Sequence, residues 1–157
     1  MIAISQKCQY ALRAVFELAK QPGTKPVPIG QIAEAQAIPP RFLELILNEL
    51  KQAGFVQSRR GVQGGYMLTV KPEDLSVGRV IDLVDGPVEP VKCIVGGGEK
   101  CPLKGTCSFG PMWKEAGDAM SQVFAKTTFK HLLDSQPKAP VPSNFSISKG
   151  LMKYHSG

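Results

Sequence analysis

Three of the four cysteines lie close together in residues 92–110, KCIVGGGEKCPLKGTCSFG, where Cys93, Cys101 and Cys107 have the spacing C-x7-C-x5-C. Thiolates are the preferred ligands of soft metals and of iron–sulfur clusters. The wide spacing, without a C-x2-C pair, argues against a zinc knuckle and favours a chain wrapped around a larger cluster. Three thiols and one further ligand fit either a 2Fe-2S or a 4Fe-4S cluster. A thiol–disulfide switch is one alternative, and a loop without cofactor, in a protein that instead senses a small molecule or another protein, is another.

The fourth cysteine, Cys8, lies in the first turn of a helix predicted over residues 5–20, with Ser5 as its N-cap. The positive end of the helix dipole favours a thiolate there, and therefore a role as a ligand. Cys8 also falls on the apolar stripe of this helix, where cysteine behaves as a small hydrophobe. Both interpretations stay open. Neither His131 nor His155 has a motif that supports a Cys–His nucleophilic pair, so we expect no enzyme.

The composition is that of a folded globular protein, with 43% hydrophobic and 20% charged residues in a chain of 157. No apolar run reaches the ~20 residues that cross a bilayer, and the N-terminus is not a signal peptide. We therefore expect no membrane partner and a location in the cytoplasm. In that reducing compartment clustered cysteines bind metals or act in redox chemistry more often than they form structural disulfides.

The net charge of +6 is unevenly distributed along the chain. Residues 1–71 carry nine Lys and Arg against four Asp and Glu, whereas the remainder carries ten against nine. A basic N-terminal half indicates a polyanionic partner, and nucleic acid is favoured because no strongly cationic amphipathic helix is present. Charge that serves only solubility is the alternative.

The pattern of apolar residues predicts helices over residues 5–20, 29–36 and 39–53, followed by short strands over 55–58 and 66–69. Helix, short turn, helix and then a two-stranded hairpin is the order of a winged helix-turn-helix. The predicted fold is therefore mainly α with a small β-hairpin wing. It would bind double-stranded DNA.

The helix over 39–53 is the predicted recognition helix, because the major groove, about 12 Å wide, admits one α-helix. Its predicted buried stripe is Leu43, Ile46, Leu47 and Leu50. The outward face then presents Arg41, Glu44, Leu45, Asn48 and Lys51. In such a position an asparagine can read adenine and a glutamate can accept a hydrogen bond from cytosine. A merely solvated surface helix is the alternative.

The turn of the hairpin, RRGVQGG, begins with Arg59 and Arg60. Two arginines on a glycine-rich tip suit a narrow minor groove, where the negative potential is enhanced. The run matches neither of the glycine-rich phosphate-binding motifs.

Beyond the hairpin we predict a helix over 77–84, capped by Ser76, and one long helix over 111–133. At 1.5 Å per residue the long helix would extend about 34 Å, and its apolar stripe indicates packing against a partner chain. The domain boundaries follow from these elements. They are a winged helix-turn-helix over 1–86, a cysteine-rich sensor loop over 87–110, a dimerisation helix over 111–135 and a flexible tail over 136–157.

Several runs resemble the Rrf-type bacterial winged-helix transcriptional regulators: ISQKCQYALRAVFELA, IGQIAEAQAIPPRFLELILNELKQAGFVQSRRGVQGGYML, LSVGRVIDLVDGP and the tripled cysteine before TTFKHLL. The resemblance covers about residues 1–135. Members of this group include an iron–sulfur cluster regulator, a nitric-oxide-sensing repressor and a cysteine-metabolism repressor. The resemblance implies a homodimer crossed through the long helix, groove contacts from Arg41 and Glu44, and a wing contact from Arg60. It also implies that Cys93, Cys101 and Cys107 hold an iron–sulfur cluster whose state sets the affinity for the operator.

Two features depart from the pattern of this group. The first cysteine gap has seven residues instead of the usual five, and Gly110 stands where the iron–sulfur cluster regulator has a histidine ligand. Some relatives take the fourth ligand from the first helix of the partner subunit, at or near the position of Gln9. Its neighbour Cys8 is the candidate in this sequence.

Overall fold

A computed structural model of the chain describes residues 4–21, 25–91 and 101–136. These ranges contain six helices and one antiparallel sheet of two strands, so the predicted fold class is confirmed. In chain order the elements are α1 (Gln6–Ala19), α2 (Ile29–Gln36), α3 (Pro40–Gln52), β1 (Val56–Arg59), β2 (Gly65–Leu68), α4 (Val77–Val84), α5 (Gly110–Lys126) and α6 (Phe129–Asp134).

Helix α1 is the centre of the core. The side-chain oxygen of Ser5 accepts a hydrogen bond from the backbone N–H of Cys8 at 3.1 Å, which confirms the predicted cap. The helix packs against α2, α3, α4, α6 and β2, and its residues Ala11, Val15 and Leu18 are fully buried. Burial of this apolar face is the main driving force for assembling the other elements around it.

Helices α2 and α3 are joined by a tight turn. Ala37 adopts a left-handed conformation with φ 49°, and the buried Ile38 follows it into the core. Pro40 occupies the first position of α3, where its fixed φ suits a helix and its missing N–H is not needed. The predicted stripe of α3 is confirmed, since the four residues predicted to be buried all are: Leu43, Ile46, Leu47 and Leu50.

The hairpin pairs Val56 with Leu68 and Arg59 with Gly65, so each strand lies one residue from its predicted bounds. A second contact fixes the hairpin to the core, because Val27 and Tyr66 exchange backbone hydrogen bonds of 2.8 and 2.9 Å. A Cβ atom on Gly65 would collide with the carbonyl of Val27. Glycine is therefore required where the hairpin meets the α1–α2 connection.

The prediction of one continuous helix over 111–133 is wrong. Helix α5 ends at Lys126, Thr127 is extended, and Thr128 begins α6 by accepting a hydrogen bond from the N–H of His131 at 3.1 Å. The carbonyl of Thr127 accepts from the N–H of Val77 at 2.8 Å, which fixes the break against the start of α4. The helical pattern is therefore interrupted by hydrogen bonds to a distant segment.

The break gives the two helices different surroundings. Phe129 of α6 is fully buried in the core, and its N–H donates to the carbonyl of Leu75 at 3.0 Å. Helix α5 buries none of its side chains in the described part of the chain. Helix α5 approaches α4 closely at Gly78. A Cβ atom there would lie 3.2 Å from the backbone of Ala125, so a glycine suits this contact best.

Candidate nucleic-acid interface and cysteine loop

The outward face of α3 carries the polar residues that the sequence predicted there. Arg41, Glu44, Asn48 and Lys51 are all exposed, because the opposite face of the helix holds the buried leucines and isoleucine. Proline at the first position and an apolar stripe at helical spacing fix this orientation. The four side chains therefore share one accessible surface.

The two edges of that surface are tied to neighbouring elements. Lys51 donates a hydrogen bond from Nζ to the hydroxyl of Ser58 at 2.8 Å, so it lies between α3 and the first strand of the hairpin. On the other edge Glu49 pairs with Lys7 of α1 at 2.6 Å. Helix α3 and the hairpin are consequently joined along one edge of this surface.

The hairpin adds two cations to this surface. Arg59 ends β1 and Arg60 follows it, and both side chains are exposed. Within residues 4–21, 25–91 and 101–136, neither arginine forms an ion pair, and the same is true of Arg41 and Lys51. Four cations on one surface, none of them paired with a carboxylate of the described residues, are suited to contact phosphates.

The cysteine loop is described from residue 101 onward, and Cys93 lies outside the described residues. Cys101 and Cys107 are partly buried free thiols. The carbonyl of Cys101 accepts from the N–H of Lys104 at 3.1 Å, and the carbonyl of Cys107 accepts from the N–H of Gly110 at 3.2 Å. Two successive turns thus hold these cysteines on one short loop directly before α5.

Cys8 lies in a different environment. Its side chain is fully buried, and burial raises the pKa of the thiol to about 12, with a further contribution from the charge of Asp85 and a hydrogen bond to it. Burial and the carboxylate therefore outweigh the helix dipole and the nearby Lys7, which favour the thiolate. The structure agrees with the apolar-stripe interpretation of Cys8 and opposes an easily formed thiolate.

Asp85 is a residue that the sequence reasoning missed. Its carboxylate accepts hydrogen bonds from the N–H and the hydroxyl of Ser5 at 2.8 and 2.5 Å, and it contacts the thiol of Cys8. A carboxylate at the N-terminus of α1 also complements the helix dipole. The local signal was only an Asp-Gly turn after α4, and its partner lies far away in the chain.

In the ranges that the structure describes, no three Cys, His, Asp or Glu side chains come together as a metal site. Cys8 is buried in the core, whereas Cys101 and Cys107 are partly exposed on the loop before α5. His131 is in the first turn of α6, next to the winged-helix core, and His155 lies outside the described residues.

A family comparison agrees with this geometry. The profile of the Rrf2 family, described as an iron-dependent transcriptional regulator, matches residues 4–135. The chain belongs to the Rrf2 family. It is therefore a DNA-binding transcriptional regulator and not an enzyme.

Individual relatives support the same assignment for this Rrf2 regulator. The regulator IscR of Aliivibrio salmonicida is 36% identical over 118 residues, which cover 75% of this chain and 69% of that protein. The solved structure of CymR, the global cysteine regulator of B. subtilis, has a TM-score of 0.72 at 31% identity and covers 87% of this chain and all of that one. The structure of T. potens IscR has a TM-score of 0.71 at 28% identity, covering 97% and 96%.

None of the helices in the described ranges combines the length and apolarity that a membrane-spanning segment needs.

Proposed function

We propose that this Rrf2 regulator is a cytoplasmic homodimer that binds a double-stranded operator with α3 in the major groove and the hairpin as a wing in the minor groove. The observation that carries the proposal is the single surface on which Arg41, Lys51, Arg59 and Arg60 are exposed without described ion pairs. Such cations provide the phosphate neutralisation that dominates affinity for DNA.

The residues of this surface have different roles. Arg41 and Asn48 are placed for base edges, with arginine suited to guanine and asparagine to adenine, and Glu44 can accept from cytosine. Lys51 and Arg59 contact the backbone, and Arg60 enters the minor groove from the wing. The hydrogen bond between Lys51 and Ser58 holds recognition helix and wing in register on the duplex.

Helix α5 provides the dimer interface. It has no buried side chain in the single chain, yet Met112 and Val123 are large, apolar and about half exposed. Beside Val123, residues of α1, α5 and α6 line an apolar groove of about 600 Å³. A second copy of α5 packed on this face would bury these side chains, and each buried CH₂ contributes about 0.8 kcal/mol.

The cysteine loop holds the sensor of this proposal, an iron–sulfur cluster bound by Cys93, Cys101 and Cys107. The donor set fits, because Cys101 and Cys107 are soft thiols, partly exposed, on one loop of tight turns. Gly105, with φ 83°, allows the backbone a conformation that brings it close to a bulky cofactor. When bound, a cluster supplies a link that responds to oxidants, nitric oxide or iron supply.

For the fourth ligand we propose Cys8 of the partner subunit. The burial of Cys8 and its contact with Asp85 oppose this role. Ligation therefore requires that the first turn of α1 moves and that the Asp85 contact to the thiol is lost. Ligand exchange at this position would link cluster state to the position of α1, and hence to the recognition helices.

Control of DNA binding then follows from the spacing of the two recognition helices. A cluster that joins one subunit to the other stabilises one spacing more than another, and its loss removes this difference. A tenfold change in operator affinity needs a differential stabilisation of about 1.4 kcal/mol. An alternative is a thiol–disulfide switch or a cluster-free regulator. The presence of two free, partly exposed thiols on one short loop favours the switch among these.

DNA binding is tested by fluorescence anisotropy with labelled duplex over a range of salt concentrations. Replacement of Arg60 by Ala is expected to weaken binding and to reduce the slope of log affinity against log salt by about 1. The matched control is Lys114→Ala on α5, whose cation is paired with Asp118 away from α3 and the wing. An unchanged slope in the Arg60 variant, or binding that does not depend on salt, would contradict the proposed surface.

The cluster is tested by the visible spectrum and the iron and sulfide content of protein purified without air. Brown protein with both elements, which Cys101→Ala loses, supports the cluster. Comparison with Cys8→Ala then tests the fourth ligand. Colourless, iron-free protein would leave the thiol switch or the cluster-free regulator.

A further inference from the structure

Two large apolar side chains lie exposed on the DNA-facing surface of α3. Leu45 is 66% exposed and Phe42 is 55% exposed. The apolar stripe that attaches α3 to the core is complete without them, since its four members are between 0 and 2% exposed. Leu45 is therefore not needed to hold α3 in place, and Phe42 is more than half exposed, so their exposure calls for a different explanation.

The position of Leu45 is central on this surface. It follows Arg41 by four residues and precedes Asn48 by three, and side chains at these spacings are neighbours on a helix. Phe42 precedes Leu45 by three residues and lies at the edge nearest α1, where its ring is 6.4 Å from that of Tyr10. The two residues form a continuous apolar patch between polar groups placed to contact DNA.

The surroundings of the patch identify what it contacts. Cations lie on the same face at Arg41 and Lys51, and the wing adds Arg59 and Arg60 on the adjoining side. A polyanion brought to these cations places the floor of its major groove against Leu45. The only apolar group that base pairs present there is the 5-methyl group of thymine.

We propose that Leu45, with Phe42 beside it, reads thymine in the operator by contact with the 5-methyl group. This inference rests on the proposed insertion of α3 into the major groove, and it adds a specificity determinant that makes no hydrogen bond. Arg41 and Asn48 would read the neighbouring base edges, so that an apolar contact lies between two polar ones. The expected effect of one lost methyl contact is about fourfold in affinity, the equivalent of one buried CH₂.

The test uses the full chain and a duplex selected by it from a random pool. Each thymine of the selected site is replaced in turn by deoxyuridine, which removes the methyl group and keeps every hydrogen-bonding atom. Anisotropy at one salt concentration is measured for the native protein, Leu45→Ala and Leu45→Met. We expect one thymine in each half-site at which deoxyuridine weakens native binding about fourfold, has little effect on Leu45→Ala and retains its effect on Leu45→Met.

The outcomes separate this inference from the function on which it rests. If native protein binds the selected duplex with a steep salt dependence but tolerates deoxyuridine at every position, DNA binding stands and thymine reading by Leu45 is wrong. An equal loss in native protein and Leu45→Ala would also overturn it, because the methyl group would then be read elsewhere. Failure to select any duplex would instead overturn the proposed function, and would leave the patch as a surface for a protein partner.

Discussion

Alkylation rates should divide the cysteines into one that is protected and others that are not. The thiol of Cys8 is fully buried, and its pKa is raised from 9.0 to about 12 by burial first and by Asp85 second. Cys101 and Cys107 are partly exposed on the loop before α5. We therefore predict that, in reduced and metal-free protein at pH 8, Cys8 reacts far more slowly than either loop cysteine.

The magnitude follows from the pKa. At pH 8 the thiolate fraction falls from about one in ten for a pKa of 9.0 to about one in ten thousand for a pKa near 12. A more basic thiolate is also more nucleophilic, and a rise of three units in pKa increases the reactivity of the thiolate about twentyfold. The raised pKa alone should therefore slow Cys8 about fiftyfold, and burial adds to this. Since the thiol stays protonated, its rate should rise about tenfold per pH unit through pH 10.

The sequence makes the assay direct, because trypsin places each cysteine in its own peptide: CQYALR, CIVGGGEK, CPLK and GTCSFGPMWK. A short pulse of iodoacetamide followed by mass spectrometry gives the four rates together, and the same pulse in denaturant equalises them. Asp85→Asn should speed the reaction of Cys8, whereas Asp134→Asn, a surface carboxylate on α6, should not. Native Cys8 reacting as fast as Cys107 would refute the buried, protonated thiol.

Three further changes test the packing described above. Leu47→Ala should lower the free energy of unfolding by about 2–5 kcal/mol, because Leu47 is buried. Leu45→Ala on the same helix should change it by less than about 0.5 kcal/mol. Equal effects in urea titrations would contradict the orientation of α3. Gly65→Ala should displace the hairpin and abolish the slow hydrogen exchange of the Val27 N–H; retained protection would show that the contact tolerates a methyl group. Gly30 lies on α2 with open space around it, so Gly30→Ala should raise the free energy of unfolding by about 0.5–1 kcal/mol and with it the melting temperature. A fall in the melting temperature would show that the glycine has a structural role.

The elements near the N-terminus could be predicted because their signals are local. Ser5 and Ser76 cap α1 and α4 through their own neighbours, and the stripe of α3 is complete within its four turns. The exposed positions of Arg41 and Lys51 follow directly from that stripe, so the candidate DNA-binding surface was also accessible to sequence reasoning.

The break after α5 and the role of Asp85 could not be predicted in the same way, because both depend on distant partners. The apolar pattern continues across Thr127 and Thr128, and only the backbone contact with Val77 ends the helix. A usable signal was present in Thr128, a good N-cap residue before His131. For Asp85 the hydrogen bonds to Ser5 span almost the length of the domain, and no local pattern encodes them.

The junction between α5 and α6 fixes one end of α5 to the core. Backbone hydrogen bonds join the residues on either side of Thr128 to the segment that leads into α4, so the position of the junction is fixed. Gly78 of α4 lies against Ala125 near this fixed end. From Ala125, α5 extends about 22 Å to its first residue, next to the cysteine loop. A tilt of α5 by about 5° at the junction therefore corresponds to a displacement of about 2 Å at the cysteine loop. We therefore expect a displacement of the cysteine loop to reach the core that carries α3 only as a small change in the tilt of α5.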